Sequence, residues 1–153
     1  MLQWSLKEFN TLSPHDLYAI LRLRTEVFVV EQNCVFQDMD NKDQYCRHLM
    51  AWQTAPDQSR ELAGYTRLVP PGISYDGFPS IGRVVTAANA RNNGIGKLLM
   101  EKSLKELALL YGPMPVRIGA QLYLKKFYES LGFVQSSEVY DEDGIDHIEM
   151  TKP

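Results

Sequence analysis

Arg91, Asn92, Asn93, Gly94, Ile95, Gly96 and Lys97 place two glycines, two carboxamides and an arginine between a β-branched stretch and an amphipathic one. The stretch before them, Ile81 to Thr86, has strand character, and Ile95 to Tyr111 carries Ile95, Leu98, Leu99, Leu107, Leu110 and Tyr111 at largely helical spacing. The first N–H groups of a helix have no intrahelical partner and lie at the positive end of its dipole, so they can hold an anion. Glycine lets the chain turn there and lets phosphate approach the main chain. The run reads as a pyrophosphate cradle. A Walker loop is excluded because Lys97 is followed by Leu98 and no glycine stands five residues before Gly96. A dinucleotide fingerprint is excluded because only Gly94 and Gly96 are present, more than halfway along the chain. The glycine pair alone fits equally a helix that begins with Asn-Gly for turn reasons. Arg91, three residues ahead of Gly94, favours the anion site.

Arg-x-x-Gly-x-Gly at a strand-to-helix junction, followed by Phe127-Tyr128-Glu129-Ser130-Leu131-Gly132-Phe133, resembles the GNAT superfamily of acyl-CoA-dependent N-acyltransferases. Val27 to Gln32, Gly119-Ala120-Gln121 and the ending Val139 to Ile148 extend the similarity over nearly the whole chain and look like the ElaA-like branch. The resemblance implies an α/β GNAT-like fold: a central, mostly antiparallel sheet whose fourth and fifth strands run parallel and splay apart, flanked by helices. It implies acetyl-CoA as acyl donor, with Arg91 to Lys97 on the pyrophosphate. Val84, Val85 and Thr86 would pair with the pantetheine arm as a peptide augments a sheet edge, and Gln121 would stand near that arm. Many relatives have proline at Ala88 and asparagine at Gln121, and the second departure bears on the pantetheine contact.

Acyl transfer from a thioester to an amine needs a neutral amine, a donor for the oxyanion and a proton for the departing thiolate. The resemblance assigns the oxyanion donor to a backbone N–H of Val84 or Val85 and the general acid to Tyr128. Composition alone reads Tyr128 as a core aromatic beside Phe127. For a base, Glu31, His48, Asp143 and His147 stand near the ends of expected elements, with Glu31 and His147 the tentative choices. A solvated Glu31 and an ordinary strand histidine at 147 are the plainer readings, and water can serve if the amine arrives neutral. Glu31, Asp38, Asp40 and Asp43 make one loop acidic and would favour a cationic acceptor, although loop acids are commonly just solvated. Arg22, Arg24, Arg67 and Arg83 would favour a carboxylate-bearing acceptor, although an arginine inside a sheet, such as Arg83, commonly serves a structural ion pair. Cys34 and Cys46 lack metal spacing and the neighbours of an activated nucleophile, so no metal and no acyl-enzyme are expected.

At 153 residues and 44% hydrophobic, the chain is expected to form a single N-acetyltransferase domain over 1–153. A formal charge of −3 disfavours nucleic acid and anionic membrane as partners, and the N-terminus lacks signal-peptide character, so a cytoplasmic location is expected. The expected partner is an amine, small molecule or side chain; a homodimer is left open. Leu2, Trp4 and Leu6 alternate as a strand, and Ser13-Pro14-His15-Asp16 starts a helix that runs to about Val30. Strands are expected over 46–53, 61–69, 81–86 and 116–120, and helices over 95–111, closed by Gly112-Pro113, and 122–131. Phe133 to Tyr140 and Ile145 to Thr151 would form a hairpin around Asp141 to Gly144. Two other readings compete: a module that binds acyl-CoA without transferring anything, and, from Arg24 and Val27-Phe28, a likeness to acyl-homoserine-lactone synthases.

Overall fold

The computed structural model describes all residues, Met1–Pro153. One sheet has the order β1 (Gln3–Glu8), β2 (Arg47–Thr54), β3 (Arg60–Val69), β4 (Ser80–Thr86), antiparallel throughout. A second is built on β8 (Ile145–Lys152), with β5 (Val116–Gln121) on one side and the short β6 (Val134–Gln135) and β7 (Tyr140–Glu142) on the other. The sheets meet where β4 and β5 begin side by side, through one backbone bond, Arg117 N–H to Pro79 C=O at 3.1 Å. No ladder continues from it. The two strands are the parallel, splayed pair of a V, and β4 keeps an unpaired edge facing the gap.

Helix α1 (Pro14–Arg24) starts where the sequence demands it: Ser13 Oγ accepts from Asp16 N–H at 3.0 Å, the Asp16 carboxylate caps Ser13 N–H, and Pro14 sits in the first turn. The sequence places one helix up to about Val30, but past Arg24 the coil widens to a π-helix over Thr25–Glu31, with five-residue bonds such as Gln32 N–H to Val27 C=O. Helix α2 (Ile95–Tyr111) has the expected limits and buries Ile95, Leu99, Met100, Ser103 and Leu107 along one stripe. It lies so close to β3 that a Cβ on Gly64 would come 2.7 Å from Leu99 Cδ1. The region expected as a helix over 122–131 is a 3₁₀ turn, Leu122–Leu124, followed by α3 (Lys125–Glu129). The strand expected over 133–140 breaks, because the Ser137 hydroxyl takes the Glu149 N–H at 2.8 Å and replaces ladder pairing between β6 and β7. No helix is long and apolar enough to cross a membrane.

Three of the four arginines and three of the four acids that the sequence left between acceptor binding and ion pairing take each other as partners, while Arg22 and Glu31 line a groove along α1. Arg24, fully buried on α1, donates to Asp38 at 2.7 Å and Asp43 at 2.8 Å. Arg67 on β3 grips both oxygens of Asp40 at 2.8 Å and reaches Asp43 at 2.9 Å. Arg83 on β4 faces Asp38 at 2.8 Å and Asp40 at 3.4 Å. Each aspartate thus meets two arginines and each arginine two aspartates, a closed ring of alternating charge. Under it, Tyr65 donates to His48 Nδ1 at 2.6 Å, and His48 Nε2 donates to the Asp43 carbonyl at 2.9 Å. The carboxylates of Asp38, Asp40 and Asp43 are therefore spent on arginines, with Asp40 half-buried.

Burial pushes Asp43 up, yet its bonds from Arg24 and Arg67 outweigh that and hold its carboxyl below the ordinary range; Asp40 is likewise held well below it by Arg67 and Arg83. Carboxyls depressed in the fold stabilise it fully above the unfolded value of ~3.9, and that contribution is lost as pH falls through the folded value. Urea titrations should therefore show flat stability from this source near neutrality and a steep loss below about pH 4. Asp43→Asn, which strips a charge from both Arg24 and Arg67, should cost about 3–5 kcal/mol in the same measurement at pH 7. A cost under about 1 kcal/mol would mean the ring adds no more than surface pairs do.

Candidate functional site

The run from Arg91 to Lys97 lies between β4 and α2. Asn92 and Gly94 both take left-handed φ, 68° and 73°, and curl the chain into the helix. The first bond of α2 runs from Leu98 N–H to Gly94 C=O at 3.2 Å, so the N–H groups of Ile95, Gly96 and Lys97 precede it, and no side chain caps them. Nothing lies within 4 Å of a Cβ position on Gly94, and at Gly96 the nearest atom is a Phe127 ring carbon at 3.8 Å. The turn is open, uncapped and positively polarised. Asn93 and Lys97 are exposed on it.

Arg91 pairs with Glu31 and donates to the Thr86 carbonyl at 3.2 Å, fastening the turn to the end of β4 and to the π-helix. The hydrogen bond from Arg91 holds the Glu31 carboxyl below its ordinary range. Glu31 also lines a groove of about 710 Å³ along α1, floored by Trp52 and Ala88. Next to Glu31, Gln32 exchanges amide hydrogen bonds with Gln121 at the far end of β5, at 3.3 and 3.2 Å. Side chains of the π-helix and its exit therefore bridge the wide end of the gap.

Along β4, Tyr65 pairs with Val85 and Arg67 with Gly82, so Arg83 and Val84 share a bulge with no partner on β3. Arg83 adopts φ 50° there. Val84, Val85 and Thr86 carry the edge that faces β5. Tyr128 is buried on α3 in one core cluster with Ile81, Ile118 and Ala120, its ring edge-on to Phe127 and Phe133 at 5.1 and 6.0 Å, and burial pushes its phenol up to about 12.

The other base candidates lie elsewhere. His48 is enclosed beneath the charge ring, and burial pushes its pKa down. Asp143 forms the hairpin turn, where its carbonyl accepts from the Cys34 thiol at 3.0 Å. His147 on β8 is nearly buried, with Nδ1 2.8 Å from the Ile145 carbonyl, Nε2 3.2 Å from Glu142 and its ring stacked on Tyr140. Burial pushes the Cys46 thiol up to about 11, the reverse of activation. No cluster of histidine, cysteine or acid is arranged to hold a metal ion. The structure thus brings the anion turn, the β4 edge, Gln121 and Glu31 around one cleft and leaves His48 out. Sequence reasoning passed over Tyr75 and Tyr140, whose hydroxyls converge above Gly119 of β5. Their signal was slight, since one stands in an irregular loop and the other before an acidic turn.

An open edge beside an uncapped helix start suits a long ligand with an anionic head and an amide-bearing tail. Comparison with known proteins gives the family. An acetyltransferase (GNAT) domain matches residues 23–153. The crystal structure of an acyl-CoA N-acyltransferase from Pseudomonas aeruginosa superposes with a TM-score of 0.91 at 42% identity, covering 100% of both chains. Protein ElaA of Escherichia coli is 39% identical over 154 residues, 99% of this chain and 97% of that protein, and its crystal structure superposes with a TM-score of 0.89. An aminoglycoside 6'-N-acetyltransferase complexed with coenzyme A, at 17% identity and a TM-score of 0.65 over 97% of this chain and 96% of that one, shares the fold. With a domain match over most of its length and a full-length relative of this similarity, the chain belongs to the GNAT acetyltransferase family, a family of acyl transfer.

Proposed function

We propose that the protein is an N-acyltransferase that moves an acetyl group from acetyl-CoA to a primary amine by direct attack, with donor and acceptor bound together. The observation that carries this is the gap opening from the single Pro79–Arg117 bond and ending at the uncapped amides of Ile95 to Lys97. Coenzyme A supplies the activated acyl thioester. The relative solved with coenzyme A has the same fold, which supports that donor.

The residues fit such a ligand. Main-chain N–H groups of Ile95, Gly96 and Lys97 offer donors to a diphosphate, and Asn92, Asn93 and Gly94 shape the turn that presents them. Arg91 is fixed beside them by Glu31 and Thr86 and adds a charge. The free edge of Val84, Val85 and Thr86 offers amide groups to the tail, with Gln121 across the gap. The bulge at Arg83 and Val84 keeps a main-chain donor in reach of a carbonyl at the apex.

Tyr128 holds its phenolic proton at neutral pH, as any tyrosine does, and can give it to a departing thiolate, although burial, which pushes it up to about 12, makes it the weaker acid. Of the two base candidates, Glu31 is neutralised by Arg91, and both ring nitrogens of His147 face acceptors, the Ile145 carbonyl and the Glu142 carboxylate, so the proton of the amine goes to water. Cys46, with its raised pKa, does not act as a nucleophile.

Tyr128→Phe should lower turnover about 10²-fold while the affinity for coenzyme A, read by calorimetry, stays put. Unchanged turnover would remove Tyr128 from this role. Gly94→Val forces a β-branched residue to a φ of 73° and should weaken coenzyme A binding more than about tenfold. Normal binding by that variant would overturn the cradle. Thiol release from acetyl-CoA in the presence of amines separates a transferase from a carrier or sensor, which would bind acetyl-CoA tightly and release no thiol with any amine.

A further inference from the structure

At the exit of the π-helix the chain lies across the wide end of the gap, and side chains alone fasten it there. The main-chain N–H groups of Gln32, Asn33 and Cys34 turn back to the carbonyls of Val27, Val30 and Val29 at 3.1, 3.2 and 3.0 Å. Outward, consecutive residues reach the two walls. Glu31 takes Arg91 beside the anion turn, Gln32 exchanges amide hydrogen bonds with Gln121 at the end of β5, and Cys34 donates to the Asp143 carbonyl on the hairpin at 3.0 Å. The segment is a strap with three fastenings, and only the first is an ion pair.

That ion pair uses the arginine a diphosphate would need. Both terminal nitrogens of Arg91 are engaged, Nη1 by the Glu31 carboxylate and Nη2 by the Thr86 carbonyl at 3.2 Å. Thr86 is a neutral acceptor at the end of β4, whereas Glu31 is an anion, and the bond from Arg91 keeps it one at neutral pH. No other carboxylate pairs with Arg91.

Magnitudes decide which anion wins. The Arg91 and Glu31 side chains are 34% and 42% exposed, and an ion pair this open to water is worth about 1 kcal/mol or less. A diphosphate brings two charges and binds the uncapped amides of α2 at the same time, so it competes for the guanidinium from the stronger position. With Glu31 in place, Arg91 lends the turn no net charge. With Glu31 gone, it lends a full one.

Resting on the reading that Arg91 to Lys97 hold the diphosphate of coenzyme A, we propose that Glu31 is a resident counter-ion of Arg91 which that diphosphate displaces. In the free protein the carboxylate stands on Arg91; in the complex a phosphate oxygen takes its place, Thr86 keeps the guanidinium at the turn, and Gln32 keeps the strap on Gln121. No covalent bond and no proton changes hands. Glu31 sets the affinity for the cofactor by opposing it.

Glu31→Gln keeps the size of the side chain and removes its charge. Calorimetry with coenzyme A should find the variant binding about threefold or more tighter than wild type at about 20 mM salt, and the difference should fall below about twofold at about 500 mM, where screening shortens the reach of charge to roughly 5 Å or less. 3′-Dephospho-coenzyme A, which keeps the diphosphate, should show the same gain. A crystal structure of the wild type with coenzyme A tests the point without a variant and should place Arg91 and Glu31 more than about 4 Å apart. A low-salt Kd equal to or weaker than wild type would make Glu31 a support for Arg91 and overturn the proposal. So would a gain confined to coenzyme A and absent with the dephospho form, or a complex with the ion pair intact, each with the cradle left standing. A wild type that binds neither ligand would bring down the cradle and this role with it.

Discussion

Six buried or half-buried charges hold the β1–β4 half of this protein together. Arg24, Arg67 and Arg83 alternate with Asp38, Asp40 and Asp43, and every member meets two of the opposite sign. Burying an ion costs several kcal/mol unless its partner geometry is good, and a ring meets that demand twice at every member. The set is neutral as a whole but intolerant of subtraction, since removing one member strands two others. It joins four parts that are distant in sequence: α1 through Arg24, β3 through Arg67, the β4 bulge through Arg83 and the loop that carries the acids.

What the ring fixes is the backbone beside the gap. Arg83 is not a glycine, and a φ of 50° is maintained there by contacts that over-determine it, here two aspartates and the Asp38 carbonyl at 2.8 Å. The bulge at that position interrupts the pairing of β4 with β3, which resumes at Val85 and Thr86. The same loop, once anchored, leads back to Gln32 and Cys34, which reach Gln121 and the hairpin carbonyl of Asp143. The π-helix belongs to this arrangement: its added residue per turn carries Glu31 and Gln32 to the mouth, while Arg24 stays in the ring.

The parts legible in the sequence were those written in local chemistry. Ser13, Pro14 and Asp16 announced α1, and Gly94 and Gly112 bounded α2, because caps and left-handed turns depend on a few adjacent residues. The arginine–aspartate ring was half visible: Arg83 inside a sheet demanded a partner, but no spacing rule links residue 83 to residues 38 and 40. The π-helix was hidden because its apolar positions, Val27 and Val30, also satisfy an ordinary helix. The 133–140 strand failed on Ser136 and Ser137, whose hydroxyls compete for main-chain groups in a way that alternation of apolar residues does not record. Tyr75 and Tyr140 became a pair only when a loop and a hairpin were folded against Gly119.

The disposition of the thiols weighs against an acyl group carried on cysteine. A two-step route through the protein needs a thiolate near neutral pH, and this chain does the reverse: burial pushes Cys46 up to about 11 and Cys34 spends its proton on a carbonyl. Direct transfer needs instead a group that stays protonated until the sulfur departs. Burial pushes the Tyr128 phenol up as it does the Cys46 thiol, because a low-dielectric wall disfavours the charged form of both. Desolvation thus counts against a covalent path through Cys46, and it keeps Tyr128 protonated while weakening it as an acid.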